Sequence, residues 1–227
     1  RPPDQERNPN EAKWRRDGLT TFGSDRFDRI YRNFSKLRCA LRVKYEEMRV
    51  IWKRQELNRY KSRYADRGEG NSELCSYCKR EREDEIHIYT GCLITNSFWN
   101  DAKDWFRGAF GENPSLVLRG PKLFGLEKEP PDDLQNIFYR SARYCIYLGR
   151  KKAFQPSIEV FKALIRDELR QKFKGFGVIN KCKNDAERTA LQWLSVEMGW
   201  TLPEIEENTL IYPNPRRKNQ INTPLKF

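Results

Sequence analysis

Residues 75–92 read CSYCKREREDEIHIYTGC and contain three of the six cysteines and the single histidine of the 227-residue chain. Cys75, Cys78, His87 and Cys92 follow the spacing C-x2-C-x8-H-x4-C. The close cysteine pair lets two thiolates reach one ion from a short turn, and the His-x4-Cys pair supplies the third and fourth ligands of a tetrahedral site. A closed set of three thiolates and one imidazole is typical of structural zinc and not of a hydrolytic centre. The sequence therefore predicts one structural Zn2+ bound by these four residues.

The competing interpretation is that the cysteines are buried small residues or a disulfide framework and that His87 is incidental. Three further cysteines, Cys39, Cys145 and Cys182, would remain unpaired. Such leftover thiols disfavour a secreted disulfide scaffold and favour a reducing compartment, so we expect an intracellular protein of the nucleus and cytoplasm. The absence of a long apolar run and of a signal-peptide pattern leads us to expect no membrane association. Because the sequence begins at Arg1 and not at methionine, we expect a part of a longer protein.

Apolar residues at helical spacing predict helices on both sides of this cluster. Asp132 or Asp133 would cap one of them, Pro156-Ser157 would start the next, and Gly199 would stop the last. The predicted helices cover about 24–41, 46–64, 96–110, 134–154, 157–173 and 185–198. The expected fold is mainly α, with helical layers flanking a small Cys3His zinc knuckle made of a short hairpin plus a helix.

Composition and breaks in the helical pattern divide the chain into five segments. Polar and proline-rich stretches mark both ends, and the cluster lies in the first half of the chain. The expected segments are an extended lead-in at 1–23, a basic helical segment at 24–70, the zinc knuckle with its aromatic helix at 71–110, a C-terminal helical segment at 111–199 and a tail at 200–227.

The formal net charge is +12 and is unevenly distributed. Residues 1–70 hold 19 Lys and Arg against 11 Asp and Glu, whereas residues 71–100 hold 3 against 5. An excess of positive charge indicates a polyanionic partner such as RNA or DNA. The acidic run at 81–85 makes the knuckle itself a poor phosphate clamp. The basic flanks are therefore the better candidates for nucleic-acid contact.

Basic residues suited to phosphate contact occur in two helical stretches. The expected main contacts are Lys53, Arg54, Arg59, Lys61 and Arg63, with Arg143 and Arg150 as secondary contacts. Three aromatic residues in the first stretch, Trp52, Tyr60 and Tyr64, could stack on unpaired bases, although packing in the core is the interpretation we favour for them. The competing function is a zinc-stabilised docking module for protein partners, without direct nucleic-acid contact.

The residues around the cluster also resemble those of a known family. The order Cys75-Ser-Tyr-Cys78, acidic residues, His87, Cys92 and then Phe98-Trp99 is similar to the zinc-binding region near the carboxyl end of non-LTR (LINE-type) retrotransposon reverse transcriptases. Shorter similarities continue on both sides. They are Leu37-Arg38 to Leu41-Arg42 upstream, and Phe124-Gly125, Ala142-Arg143-Tyr144-Cys145-Ile146-Tyr147 and Pro156-Ser157 downstream. The resemblance covers roughly residues 34–175.

The resemblance implies a segment downstream of a polymerase domain in the same chain, which helps to hold template RNA and target DNA during target-primed reverse transcription. The residues present do not supply the polymerase itself. Asp132-Asp133 follows two prolines in a polar connector, where a helix cap is the better interpretation. The single histidine, His87, is committed to zinc and is not available as a general base. We therefore expect no catalysis within these residues.

Overall fold

The structure is a computed structural model that describes residues 39, 41–51, 57, 73–114, 133–173, 182 and 184–199. These parts form five α-helices and one π-helical turn, which confirms a mainly α fold. The elements are α1 (Leu41–Ile51), the π turn (His87–Gly91), α2 (Leu93–Phe110), α3 (Leu134–Lys152), α4 (Ile158–Phe173) and α5 (Asp185–Glu197). None of these helices is long and apolar enough to span a membrane.

Capping residues in the sequence account for the helix ends. The side chain of Asp133 accepts a hydrogen bond from the backbone N–H of Asn136 at 2.6 Å and caps α3, as predicted. Asn184 caps α5 in the same way, through a backbone N–H three residues on at 2.9 Å. Gly111 ends α2 in the left-handed conformation, with φ at 72°. The four downstream helices are confirmed, although α2 begins a few residues earlier than predicted.

The first described helix corrects a predicted boundary. The sequence pattern ends one helix near Leu41 and starts another near Glu46, but α1 runs without a break from Leu41 to Ile51. The break was wrong because two acidic residues interrupt the apolar pattern and are nevertheless buried. The buried face repeats at helical spacing through Val43, Glu46, Glu47 and Val50. The other parts of both predicted helices lie outside the described residues.

The core is built around the aromatic side chains of α2 and α3. Helix α2 packs against α3, α4 and α5, and α1 packs against α3. The Phe138 ring lies 5.8 Å from Trp99, 5.1 Å from Phe106 and 5.6 Å from Phe161, in tilted and edge-on contacts. Such ring contacts stabilise a fold by more than the burial of their apolar area alone would do. Trp99 and Phe106 therefore pack in the core behind the cluster, as their spacing predicts.

Within the described parts of the chain, four buried ion pairs join segments that are separated in sequence. In each pair both side chains are at least nine-tenths buried. The pairs are Arg140–Glu168, Arg143–Glu47, Arg150–Glu83 and Lys172–Glu187. Loss of one partner leaves an uncompensated buried charge, so these pairs specify how the helices and the residues before the π turn fit together.

Gly149 lies where three segments of the chain approach one another. A Cβ atom at this position would lie 2.7 Å from the carbonyl oxygen of Phe154 and 2.7 Å from the hydroxyl oxygen of Tyr77. Both distances are below van der Waals contact, so we expect Gly149→Ala to lower stability by about 1–3 kcal/mol. Gly108 in α2 is the matched control, because a Cβ atom there meets nothing within 4 Å. Gly108→Ala should instead raise stability by about 0.5–1 kcal/mol. Denaturant unfolding followed by circular dichroism measures both, and equal stability of the two variants contradicts the contact.

Candidate metal centre

Residues 73–83 form a tight turn, called here the knuckle turn, that carries Cys75 and Cys78. An antiparallel bridge between Leu74 and Arg82 closes it, and the adjoining backbone hydrogen bonds measure 2.7 and 2.8 Å. The described residues contain this single bridge and no strand, so the predicted hairpin is reduced to a bridged turn. Lys79 follows Cys78 in the left-handed conformation, with φ at 56°, and reverses the chain after the second thiol.

The π turn places the other two ligands side by side. His87 begins this turn and Cys92 follows it, and the N–H of Cys92 donates to the carbonyl of His87 at 2.7 Å. Asp84 accepts from the N–H of His87 at 2.8 Å and fixes the start of the turn. The indole N–H of Trp99 donates to the carbonyl of Tyr89 at 2.9 Å and ties the turn to α2. Cys92 is also the N-cap residue of α2, so the turn and this helix share a ligand.

Two separations between the ligand atoms are close to the edges of a tetrahedral zinc site. The four atoms lie within 4.8 Å of one another. The Sγ atoms of Cys75 and Cys92 are 3.9 Å apart, and Cys78 Sγ lies 3.4 Å from His87 Nε2. Zinc bond lengths predict about 3.8 Å and about 3.6 Å for these edges. A disulfide would need about 2.0 Å, and all six cysteines are free thiols. The Cys3His group therefore can hold a metal ion, and its donor set fits zinc.

The two thiols of the knuckle turn differ in acidity. Burial raises the pKa of Cys75 to about 12. Burial also acts to raise the pKa of Cys78, but the backbone N–H groups of Glu81 and Arg80 and the ring of His87 lower it to about 6. Cys78 is thus a thiolate at neutral pH and offers a charge to a cation. Cys75 gives up its proton when it binds the metal.

The orientation of the His87 ring is that of a zinc ligand. Its Nδ1 lies 3.1 Å from the Oε2 of Glu81. An N–H on Nδ1 that donates to this carboxylate leaves the lone pair on Nε2, the atom beside Cys78 Sγ. Zinc-bound histidines commonly donate their other ring N–H to a carboxylate, which fixes the tautomer and makes the imidazole a better ligand. Glu81 is therefore assigned as the residue that positions His87.

Two carboxylates of the acidic run at 81–85 are buried inside the fold. Glu83 is fully buried, and its Oε2 accepts from the backbone N–H and the hydroxyl of Ser76 at 2.7 and 2.6 Å. Its Oε1 pairs with Arg150 of α3 at 2.8 Å. Glu85 is also buried. Glu83 therefore braces the turn around Cys75 and joins it to α3.

Of the seven residues that we expected to contact nucleic acid, the structure describes two. Lys53, Arg54, Arg59, Lys61 and Arg63 lie outside the described residues. The two secondary residues require a correction. The Arg143 side chain is 3% exposed and binds Glu47, and the Arg150 side chain is 9% exposed and binds Glu83. Both guanidinium groups already neutralise carboxylates inside the fold, so neither is available to a phosphate.

The sequence does not predict the structural roles of two residues of the knuckle turn, Tyr77 and Glu83. The Tyr77 hydroxyl donates to the carbonyl of Ile146 in α3. Glu83 belongs to the acidic run, which predicts a negative surface, but its side chain is buried and links the turn to α3. The one local signal is that Tyr77 lies between Cys75 and Cys78, at a position that a turn exposes unless it packs on a neighbour. The neighbour itself comes from a distant part of the chain and gives no local signal.

Comparison of the chain with protein families, with curated proteins and with solved structures found no match.

Proposed function

We propose that the chain is a zinc-stabilised nucleic-acid-binding module, the C-terminal segment of a non-LTR retrotransposon reverse transcriptase. It helps to hold template RNA and target DNA during target-primed reverse transcription, next to a polymerase domain upstream in the same protein. The Cys3His group at C-x2-C-x8-H-x4-C spacing carries the proposal. The family assignment rests on the ordered residues around that group.

The distribution of charge supports a nucleic-acid partner. The chain has 44 Lys and Arg against 32 Asp and Glu. Each of the four buried ion pairs combines one cation with one carboxylate, so the whole excess of +12 remains on other side chains. Such an excess attracts a phosphate backbone through counterion release. A protein-docking module has no comparable need for it.

Zinc acts as a structural cross-link in this proposal. Its ligands come from the knuckle turn, the π turn and the N-cap residue of α2. The knuckle turn in turn contacts α3 through Tyr77 and Glu83. One ion therefore fixes the segment before α2 to the helices after it. The closed ligand set leaves no position for a substrate, so the ion organises the binding surface and takes no part in chemistry.

The main contacts are assigned to the basic stretch that follows α1. The cations are Lys53, Arg54, Arg59, Lys61 and Arg63. Leu57, in the middle of this stretch, is buried in the core. Helix α1 is itself joined to α3 by the Glu47–Arg143 pair. An apolar anchor flanked by cations is a suitable arrangement for holding a phosphate backbone against the fold.

The experiment is a salt-dependent binding series with the zinc-loaded chain on single-stranded RNA, duplex DNA and nicked DNA. We expect the logarithm of the affinity to fall linearly with the logarithm of the salt concentration. Arg59→Ala and Arg63→Ala should each reduce the slope by about one unit, equally for all sequences. Arg170→Ala, which removes an exposed cation of α4, is the control. The docking module replaces this proposal if charge reversal of the 53–63 cations leaves both affinity and slope unchanged.

A further inference from the structure

The knuckle turn lies directly against the C-terminal end of α3. The Tyr77 hydroxyl donates to the carbonyl of Ile146, and Glu83 pairs with Arg150 at 2.8 Å. The chain that follows α3 folds back over the same place, because the N–H of Phe154 donates to the carbonyl of Gly149 at 2.9 Å. The knuckle turn and the end of α3 are therefore neighbours in the fold.

Two of the four carboxylates of the acidic run at 81–85 are withdrawn from solvent. Glu83 and Glu85 are buried. Asp84 accepts from the N–H of His87, and Glu81, which is exposed, pairs with the ring of the same histidine. Glu73 forms an exposed ion pair with Arg82 at 2.6 Å. The acidic run thus contributes less negative charge to the surface than its sequence indicates.

Besides Arg82, which pairs with Glu73, four cations of the same region are exposed. Lys79 and Arg80 lie in the knuckle turn, and Lys151 and Lys152 end α3. The negative end of a helix dipole favours cations and explains the last two by stability alone. It does not explain Lys79, which occupies a left-handed backbone conformation where glycine would be less strained. The helix dipole therefore accounts for Lys151 and Lys152 and not for Lys79 or Arg80.

We propose that Lys79, Arg80, Lys151 and Lys152 form a second phosphate-binding surface for the nucleic-acid backbone, called here the knuckle–helix surface. This surface rests on the proposed function. It adds a contact site that the acidic sequence of the knuckle does not predict. Zinc places two of the four cations by fixing the knuckle turn, and the Glu83–Arg150 pair holds that turn beside the other two. Contacts of this kind position a backbone without reading its sequence.

The test compares two fourfold variants that lose the same charge. In the first, Lys79, Arg80, Lys151 and Lys152 are changed to Gln. In the matched control, Arg42, Arg107, Arg170 and Arg188, which are exposed on α1, α2, α4 and α5, are changed to Gln. Affinity for single-stranded RNA and for duplex DNA is measured across a salt series. We expect the knuckle–helix variant to lower the salt slope by about three to four units and to bind at least about tenfold more weakly than the control variant.

Three outcomes separate this surface from the proposed function. If the unmodified chain binds neither RNA nor DNA, both the proposed function and the knuckle–helix surface are overturned. If it binds, and the two variants have equal slopes, the knuckle–helix surface alone is overturned. Two double variants keep the test valid if the fourfold variant misfolds. They are Lys79→Gln with Arg80→Gln, and Lys151→Gln with Lys152→Gln. Each pair should retain one zinc and lower the slope by about two units, and an unchanged slope in both overturns the surface.

Discussion

Cys78→Ser is expected to abolish zinc binding and to unfold residues 73–92 while the unmodified chain retains one zinc ion. The reason is that ligation and folding of such a site are one process. Structural zinc contributes about 10–16 kcal/mol of apparent binding free energy in small zinc domains at pH 7. The knuckle turn itself is closed by one antiparallel bridge, so its local backbone interactions are too few to replace the ion. Loss of the turn should also loosen α2, because Cys92 is its N-cap residue.

Metal analysis and thermal unfolding measure this result. A strong chelator added to the unmodified chain should reproduce the loss of stability, and added zinc should restore it. Cys182→Ser is the control, since this half-buried thiol lies outside the cluster and its loss should leave one zinc bound. Zinc affinity should fall as the pH decreases, because the ligand thiols bind only as thiolates. A Cys78→Ser chain that keeps its zinc and its melting temperature contradicts the assignment.

Local signals in the sequence predict the cluster and the helix ends. The four ligands lie within eighteen residues, and their spacing is dictated by one ion and two turns. Asp133 and Gly111 act on backbone groups a few residues away, so their roles as helix cap and helix stop are visible without the fold. These features depend on neighbours in sequence and are accordingly confirmed.

Interactions between distant residues explain what the sequence does not predict. Arg143 and Arg150 lie at helical spacing and look like a basic stripe on one helix face. Each instead meets a carboxylate from another element, Glu47 at a separation of 96 residues and Glu83 at a separation of 67. A charge pattern along one helix cannot show whether its partner is a phosphate or a carboxylate of the same chain. The same pairing accompanies the burial of Glu47 in α1, one of the two acidic residues at the predicted helix break.

Glu83→Ala is expected to destabilise the fold by about 3–5 kcal/mol without removing a zinc ligand. The substitution leaves the buried Arg150 guanidinium without the carboxylate that neutralises it, and one unpaired buried charge costs about this much. It also removes the acceptor for the backbone N–H and the hydroxyl of Ser76, beside Cys75. We therefore expect a large fall in the free energy of unfolding together with retention of one zinc ion, which distinguishes this variant from Cys78→Ser.

Glu73→Ala provides the matched control for the buried pair. Glu73 pairs with Arg82 at 2.6 Å, but the two side chains are 43% and 49% exposed, so its loss should cost about 0–1 kcal/mol. A double-mutant cycle of Glu83→Ala and Arg150→Ala then measures the coupling between knuckle turn and α3. A coupling no larger than that of the exposed pair would show that zinc alone holds the turn in place. A coupling energy several times larger would show that two connections hold the knuckle turn in place, namely the zinc ion and the buried Glu83–Arg150 pair.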